Sequence, residues 1–239
     1  MNKLNPNRSI AIIGGMGPQA SAKLLEVLIS MCCKDYGAKE DYDFPEVILN
    51  SVPVPDIIST RRNMKISLGI LAQRVKNLES FNPKVLGIPC NTAHVLFQTL
   101  QSKTTIPFVS IIEEVTKSVV ESKINKVGLF ATPVTINSCL YQNALEKQKI
   151  EVIVPTKGEQ KVVDEVIRNV LAGKTTSIDK KKIVLVAENL VLNEAEGIIL
   201  GCTELPLIFP KNFPAPVFDS IEILASALLK RYYLNGDQI

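Results

Sequence analysis

The chain contains 239 residues, of which 46% are apolar, and this is enough for one large globular domain or two small ones. Its 27 Lys and Arg and 24 Asp and Glu residues leave a net charge of +3, which is typical neither of a polyanion-binding protein nor of a disordered chain. Trp is absent and aromatic residues make up 5%, so the composition argues against a stacking platform for nucleic acid.

The sequence also argues against membrane, disulfide and metal functions. No apolar stretch approaches the roughly 18 residues that span a bilayer, and the polar segment 1–9 is unlike a signal peptide. Five scattered cysteines, a single histidine and no CxxC motif argue against a disulfide scaffold and a structural zinc site. We therefore expect a cytoplasmic protein with free thiols and no bound metal.

Short apolar runs alternate with segments of helical periodicity along the whole chain. Such runs are typical of buried parallel strands, and their alternation with helices predicts an α/β architecture. Leu24, Leu28 and Met31 illustrate the helical spacing, and a last helix is predicted near 220–233. The predicted strands cover residues 10–13, 47–49, 85–88, 106–109, 127–130, 152–154, 198–200 and 217–218.

Two sequence features of the first half of the chain occur again in the second half. A strand ending at Ile13 runs into Gly-Gly-Met-Gly-Pro, and a strand ending at Phe130 runs into Ala-Thr-Pro-Val-Thr. Cys90 and Cys202, each at a strand end, lie 112 positions apart. The repeat predicts two pseudo-symmetric lobes, each a roughly four-stranded parallel sheet flanked by helices. We assign residues 1–107 plus 215–239 to the N-terminal lobe and 108–214 to the C-terminal lobe. Ligands in such sheets bind beyond the carboxyl ends of the strands, which places the predicted site between the lobes.

The two repeated cysteines suit proton transfer. Each is predicted to precede a helix, whose N-terminus would lower the pKa of the thiol. A thiolate on one face of a carbon acid and a thiol on the other can invert its configuration by general acid–base catalysis without a cofactor. A redox dithiol is the rival interpretation, but such pairs are usually held close together as CxxC.

Other features have simpler interpretations. Gly14–Gly17 does not complete a dinucleotide fingerprint, so a turn that approaches a small ligand is favoured. His94 is expected to have a structural role or to tune the thiol, and Cys32, Cys33 and Cys139 are expected to be inert. Asn50 ends the second strand and is a candidate to face the crevice, with a plain turn role as the alternative.

The motifs around these residues resemble those of the aspartate/glutamate racemase family, which is independent of pyridoxal phosphate. They read Ile-Gly-Gly-Met-Gly-Pro from Ile13, Pro-Cys-Asn-Thr-Ala-His from Pro89 and Gly-Cys-Thr-Glu-Leu from Gly201. The resemblance implies two lobes with an active site between them, a homodimer, and Cys90 and Cys202 as the acid/base residues. The further residues that it assigns to substrate binding are Met16, Gly17, Asn91, Thr92, Thr132, Lys161 and Thr203.

One departure from the family pattern concerns the substrate side chain. Similar aspartate racemases carry an arginine directly after an Ile-Pro-Asp segment, where it binds the distal carboxylate. Here Ile57 follows Val-Pro-Asp, and an apolar side chain cannot replace that bidentate contact. Arg61 or Arg62 would have to reach back, or else the substrate lacks a second carboxylate.

The sequence therefore predicts a cofactor-independent amino-acid racemase, with aspartate or glutamate favoured as substrate. One alternative is a related isomerase of the same superfamily, such as a hydantoin racemase, a maleate isomerase or an arylmalonate decarboxylase-like enzyme. Another is a non-catalytic amino-acid-binding module. The only partner expected besides the small-molecule substrate is a second copy of the chain, with no nucleic acid and no membrane.

Overall fold

The computed structural model of the protein describes residues 9–56 and 61–233. In these ranges, eight strands alternate with nine α-helices. The strands are β1 (Ser9–Gly14), β2 (Glu46–Ser51), β3 (Val85–Gly87), β4 (Phe108–Val109), β5 (Lys126–Ala131), β6 (Glu151–Ile153), β7 (Ile198–Gly201) and β8 (Val217–Asp219). The helices are α1 (Pro18–Tyr36), α2 (Arg61–Leu78), α3 (Phe97–Gln101), α4 (Ile111–Glu121), α5 (Pro133–Asn137), α6 (Leu140–Glu146), α7 (Lys157–Leu171), α8 (Ser177–Leu192) and α9 (Ser220–Tyr233).

The strands form two parallel four-stranded sheets of the same topology. The first has the order β2-β1-β3-β4 and the second the order β6-β5-β7-β8. Because the second order repeats the first with each number raised by four, the two lobes are pseudo-symmetric. The predicted α/β fold with two parallel sheets is confirmed. In each sheet the order reverses beside the central strand, and such switch points are where ligands bind.

Alternation along β1 explains why its sequence is apolar throughout. Ile10 and Ile12 pack into a core cluster that also includes residues of β5, α4 and α9. Ala11 and Ile13 face the opposite way, into a second cluster with residues of α2 and β3. A strand covered by helices on both faces has no polar face, so period-2 patterning is replaced by a continuous apolar run.

Strand pairing changes the predicted division between the lobes. β4, at Phe108–Val109, pairs with β3 in the first sheet. β8, at Val217–Asp219, pairs with β7 in the second sheet. We therefore propose that the lobe boundaries follow β4 and β8, slightly later than residues 107 and 214. The final helix α9 packs beside α1 and so returns to the first lobe, as the sequence predicts.

In the described part of the chain, no helix combines the length and the apolar character needed to cross a bilayer.

Candidate active site

A cavity of about 260 Å³ lies between the two sheets. The loops after β1, β2 and β3 line it from the first lobe, and the loops after β5 and β7, together with α7, line it from the second. These loops follow the carboxyl ends of the parallel strands, where α/β sheets bind their ligands. Cys90 and Cys202 both line this cavity, and both are free thiols.

Cys90 enters the cavity from the loop after β3. Its side chain is buried, and backbone N–H groups of Thr92 and Ala93 bond to the sulfur. Burial raises the pKa of the Cys90 thiol to about 12, with a further contribution from the negative charge of Glu204. The two N–H groups act in the opposite direction but do not offset the loss of solvent.

Cys202 occupies the equivalent position after β7. Its Sγ donates a hydrogen bond to Oε2 of Glu204 over 3.0 Å. Burial and the adjacent Glu204 carboxylate hold the pKa of Cys202 well above its ordinary value, and Cys90 adds to the same effect. The two sulfurs are therefore within electrostatic range of each other across the cavity.

The structure corrects the prediction that helix N-termini lower the pKa of the two thiols. Cys90 is followed by a 3-10 helix at Thr92–Leu96, and Cys202 by another at Leu205–Leu207. Neither segment is an α-helix, so the expected dipole is weak. Desolvation depends on the packing of both lobes around the sulfur atoms, and it outweighs the local backbone effect.

Glu204 is a site residue that the sequence reasoning did not single out. Besides its bond to Cys202, its Oε1 accepts a hydrogen bond from the backbone N–H of Gly17 over 3.2 Å. Burial raises the pKa of Glu204, because its charged form loses solvent. The signal in the sequence was the position of Glu204 two residues after Cys202, within the Gly-Cys-Thr-Glu-Leu motif.

Three threonine hydroxyls form a cluster, and two of these threonines, Thr92 and Thr132, line the cavity. Thr92 Oγ1 lies 2.9 Å from Thr132 Oγ1 and 3.1 Å from Thr135 Oγ1, which joins the two lobes. Thr132 also caps α5 through its hydroxyl. Nearby, Thr203 Oγ1 donates to the backbone carbonyl of Pro89 over 3.2 Å, again across the lobes. Thr92, Thr132 and Thr203 all line the cavity.

The side chain of Asn91 is engaged by protein groups at both ends. Tyr141 donates its hydroxyl proton to Asn91 Oδ1 over 2.6 Å, and Asn91 Nδ2 donates to Ser220 Oγ over 3.2 Å. Asn91 lines the cavity, and these bonds fix its amide relative to Cys90.

The β1–α1 loop places Met16 and Gly17 in the cavity lining. Gly15 has a φ of +96°, and a Cβ there would lie 2.4 Å from the carbonyl oxygen of Val52. Only glycine fits this turn, and the close approach lets the loop turn toward the second lobe.

His94 forms hydrogen bonds with the backbone around the site. Its Nε2 accepts from the backbone N–H of Ile111 over 3.0 Å, and its Nδ1 lies 2.8 Å from the carbonyl oxygen of Cys90. Because Nε2 is the acceptor, Nδ1 carries the proton and donates a hydrogen bond to the backbone carbonyl oxygen of Cys90. Burial lowers the pKa of His94 to about 4, so the ring is neutral near pH 7.

Two predicted substrate-binding residues do not line the cavity. Asn50 is half-buried at the end of β2, and Lys161 is exposed on α7. Instead α7 contributes Ile167 and Leu171, which are four residues apart and share one helix face.

Ile57, which stands where similar aspartate racemases have an arginine, lies outside the described residues. The side chain of Arg61 is not described either. Arg62 is exposed and is not part of the described lining. Within the described ranges, no three His, Cys, Asp or Glu side chains are grouped in a way that could hold a metal ion.

Known proteins resemble the chain over most of its length. A family model described as Asp/Glu/Hydantoin racemase matches residues 13–228. A broad specificity amino-acid racemase, RacX, from Bacillus subtilis (strain 168) is 27% identical over 224 residues, covering 93% of this chain and 97% of that protein. The crystal structure of an aspartate racemase homologue from Pyrococcus horikoshii OT3 has a TM-score of 0.78 at 30% identity, covering 93% of this chain and 98% of that one. The aspartate racemase of Picrophilus torridus gives the same TM-score and identity, covering 93% of each chain.

Proposed function

The chain belongs to the Asp/Glu/hydantoin racemase family, and on that basis we propose that it is an amino-acid racemase in which Cys90 and Cys202 exchange protons with Cα without pyridoxal phosphate. The observation that carries this proposal is the placement of the two free thiols. They line one cavity from opposite lobes, each from the loop after an equivalent strand. A substrate between them would present one face to each sulfur.

The reaction is a two-base proton transfer. One cysteine, as the thiolate, removes the α-proton, and the electron pair of the C–H bond passes into the carboxylate as an enediolate. The other cysteine, as the neutral thiol, protonates the opposite face and becomes the thiolate. The product has inverted configuration, and the two sulfurs have exchanged protonation states. The reverse reaction begins from that exchanged state.

Because the pKa values of both thiols are raised, formation of a thiolate requires help from the substrate. An α-ammonium group that enters the cavity brings a positive charge close to the sulfurs, which lowers the pKa of both thiols. At Cys90, the N–H groups of Thr92 and Ala93 stabilise the thiolate.

Negative charge that develops on the substrate carboxylate needs hydrogen-bond donors. Thr92 and Thr132 supply hydroxyls in the cavity lining, and their contacts with each other and with Thr135 hold them in place before the substrate arrives. Thr203 also lines the cavity, and its bond to the Pro89 carbonyl oxygen fixes its side chain there. Donors that are already oriented stabilise a transition state without further reorganisation.

The test is loss of the α-proton signal in deuterated water, followed by proton NMR for each L- and D-amino acid. The wild-type protein should exchange the α-proton of at least one amino acid and form its enantiomer. Cys90→Ser and Cys202→Ser should each lose racemisation by about a hundredfold or more, because a serine hydroxyl is a far weaker base than a thiolate.

Cys139→Ser is the matched control, since Cys139 is exposed and outside the cavity lining. It should keep the wild-type rate, and circular dichroism should show all three variants folded. Near-normal racemisation by either cavity variant would contradict the two-thiol assignment.

A further inference from the structure

The cavity has an apolar wall that the proton transfer does not use. Ile167 and Leu171 project from one face of α7; Ile167 is buried, and Leu171 is 39% exposed at the edge. A Cβ placed on Gly17 would lie 2.6 Å from Leu171 Cδ2, so Leu171 reaches as far as the β1–α1 loop of the first lobe. Gln19 Nε2 donates to the carbonyl oxygen of Leu171 over 3.1 Å and holds this end of α7 in place.

The first lobe contributes further apolar surface to the same cavity. Val54 and Pro55, which follow β2, line it together with Met16. Apolar side chains therefore come from both lobes, whereas the hydroxyls of Thr92 and Thr132 form a polar cluster of their own. A ligand with one polar end and one aliphatic end is complementary to this division.

The charges in the described lining are negative. Asp56 and Glu204 are both part of it, and among the described lining residues there is no Lys, Arg or His. Both carboxylates raise the pKa of Cys90, so their fields are felt inside the cavity. A second carboxylate on the substrate would meet the negative charge of the buried Glu204 and would find apolar side chains at the α7 wall.

Resting on the racemase function proposed above, we propose that Ile167 and Leu171 form the side-chain subsite and select amino acids with uncharged aliphatic side chains over aspartate and glutamate. The substrate class is thus leucine- or methionine-like. This departs from the preference for acidic amino acids that the sequence resemblance implied.

Matched substrate pairs test the proposal directly. Methionine against glutamate, and leucine against aspartate, compare side chains of similar size with and without a carboxylate. We expect kcat/KM for the uncharged member of each pair to be about tenfold higher or more, as apolar pockets typically discriminate. Equal or better turnover of glutamate or aspartate would overturn the proposal.

Lysine as a substrate distinguishes selection by the apolar wall from selection by the acidic groups, because it has an aliphatic stem and a positive charge. Turnover of lysine well above that of methionine would indicate that Asp56, and not Ile167 and Leu171, selects the substrate side chain. This result would also overturn the proposal. Failure of the racemase function itself looks different, because no amino acid would then lose its α-proton.

Variants locate the subsite. Leu171→Ala should lower kcat/KM for methionine about tenfold more than it lowers kcat/KM for alanine, because alanine is too short to use the wall. Leu192→Ala, at the 81% exposed end of α8, is the matched control and should change neither. An equal loss for methionine and alanine in a folded Leu171→Ala protein would show that Leu171 does not select the side chain.

Discussion

At the scale of single residues, Glu204 controls the charge around both thiols. Its carboxylate accepts a hydrogen bond from Cys202 over 3.0 Å and raises the pKa of Cys90 and of Cys202. Without a bound cation, both thiols therefore stay protonated near neutral pH. Since a thiolate must begin the reaction, kcat/KM should rise as the pH rises from neutral.

Removal of the Glu204 charge should shift that pH profile. In Glu204→Gln the pKa of both thiols falls, so the rise in kcat/KM should begin about one pH unit lower than in the wild type. The measurement is kcat/KM against pH with the best substrate of the amino-acid panel. Glu188→Gln, an exposed change on α8, is the control. A Glu204→Gln profile that coincides with the wild-type profile, or moves to higher pH, would show that this carboxylate does not act on the thiols.

At the scale of secondary-structure elements, the sequence predicts those features that short segments of the chain determine by themselves. All eight predicted strands are present, because strands buried on both faces must be apolar along their length. The repeated Cys90 and Cys202 line the same cavity because equivalent strands end at equivalent places.

Properties that depend on packing between elements were not predictable. The helical periodicity of α7 marks its buried face, but it does not distinguish core from cavity wall, so Ile167 and Leu171 were missed. Only the family resemblance assigns Lys161 to substrate binding, and in the structure Lys161 is exposed. The direction of the thiol pKa shifts was wrong, because desolvation comes from residues distant in sequence.

His94 connects two elements that shape the site. It joins the Cys90 loop to the first residue of α4 by two hydrogen bonds, and its ring stacks on Phe97 with centroids 5.2 Å apart. The pKa of His94 is lowered from 6.5 to about 4, so its contribution to stability is present above pH 6.5 and is lost as the pH falls toward 4.

His94→Phe keeps the aromatic stacking and removes both hydrogen bonds. At pH 7 we expect the free energy of unfolding to fall by about 2–4 kcal/mol, because a buried N–H and a buried carbonyl lose their partner. The difference from wild type should then shrink by about 3 kcal/mol between pH 7 and pH 4, since only the wild type has this histidine to protonate. Urea unfolding at both pH values measures this. A difference that does not change with pH would contradict the assigned role.

At the scale of the whole molecule, contacts between the two lobes hold Cys90 and Cys202 in the lining of one cavity. One core cluster includes residues of β1 from the first sheet and β5 from the second, with α9 packed among them. Hydrogen bonds from Gly17 to Glu204 and from Thr203 to Pro89 cross between the lobes beside the cavity. The homodimer that the family resemblance implies stays a prediction.

The central claim, proton exchange between opposed thiols, is tested most directly by the isotope content of the first product formed in deuterated water. The thiol that protonates the product has exchanged with solvent, whereas the one that receives the substrate proton lies on the other face. Early in the reaction, mass spectrometry should therefore find deuterium at Cα of nearly all product and protium at Cα of the remaining substrate. Protium retained in the product, or deuterium entering the substrate as fast as product forms, would mean that a single base serves both faces.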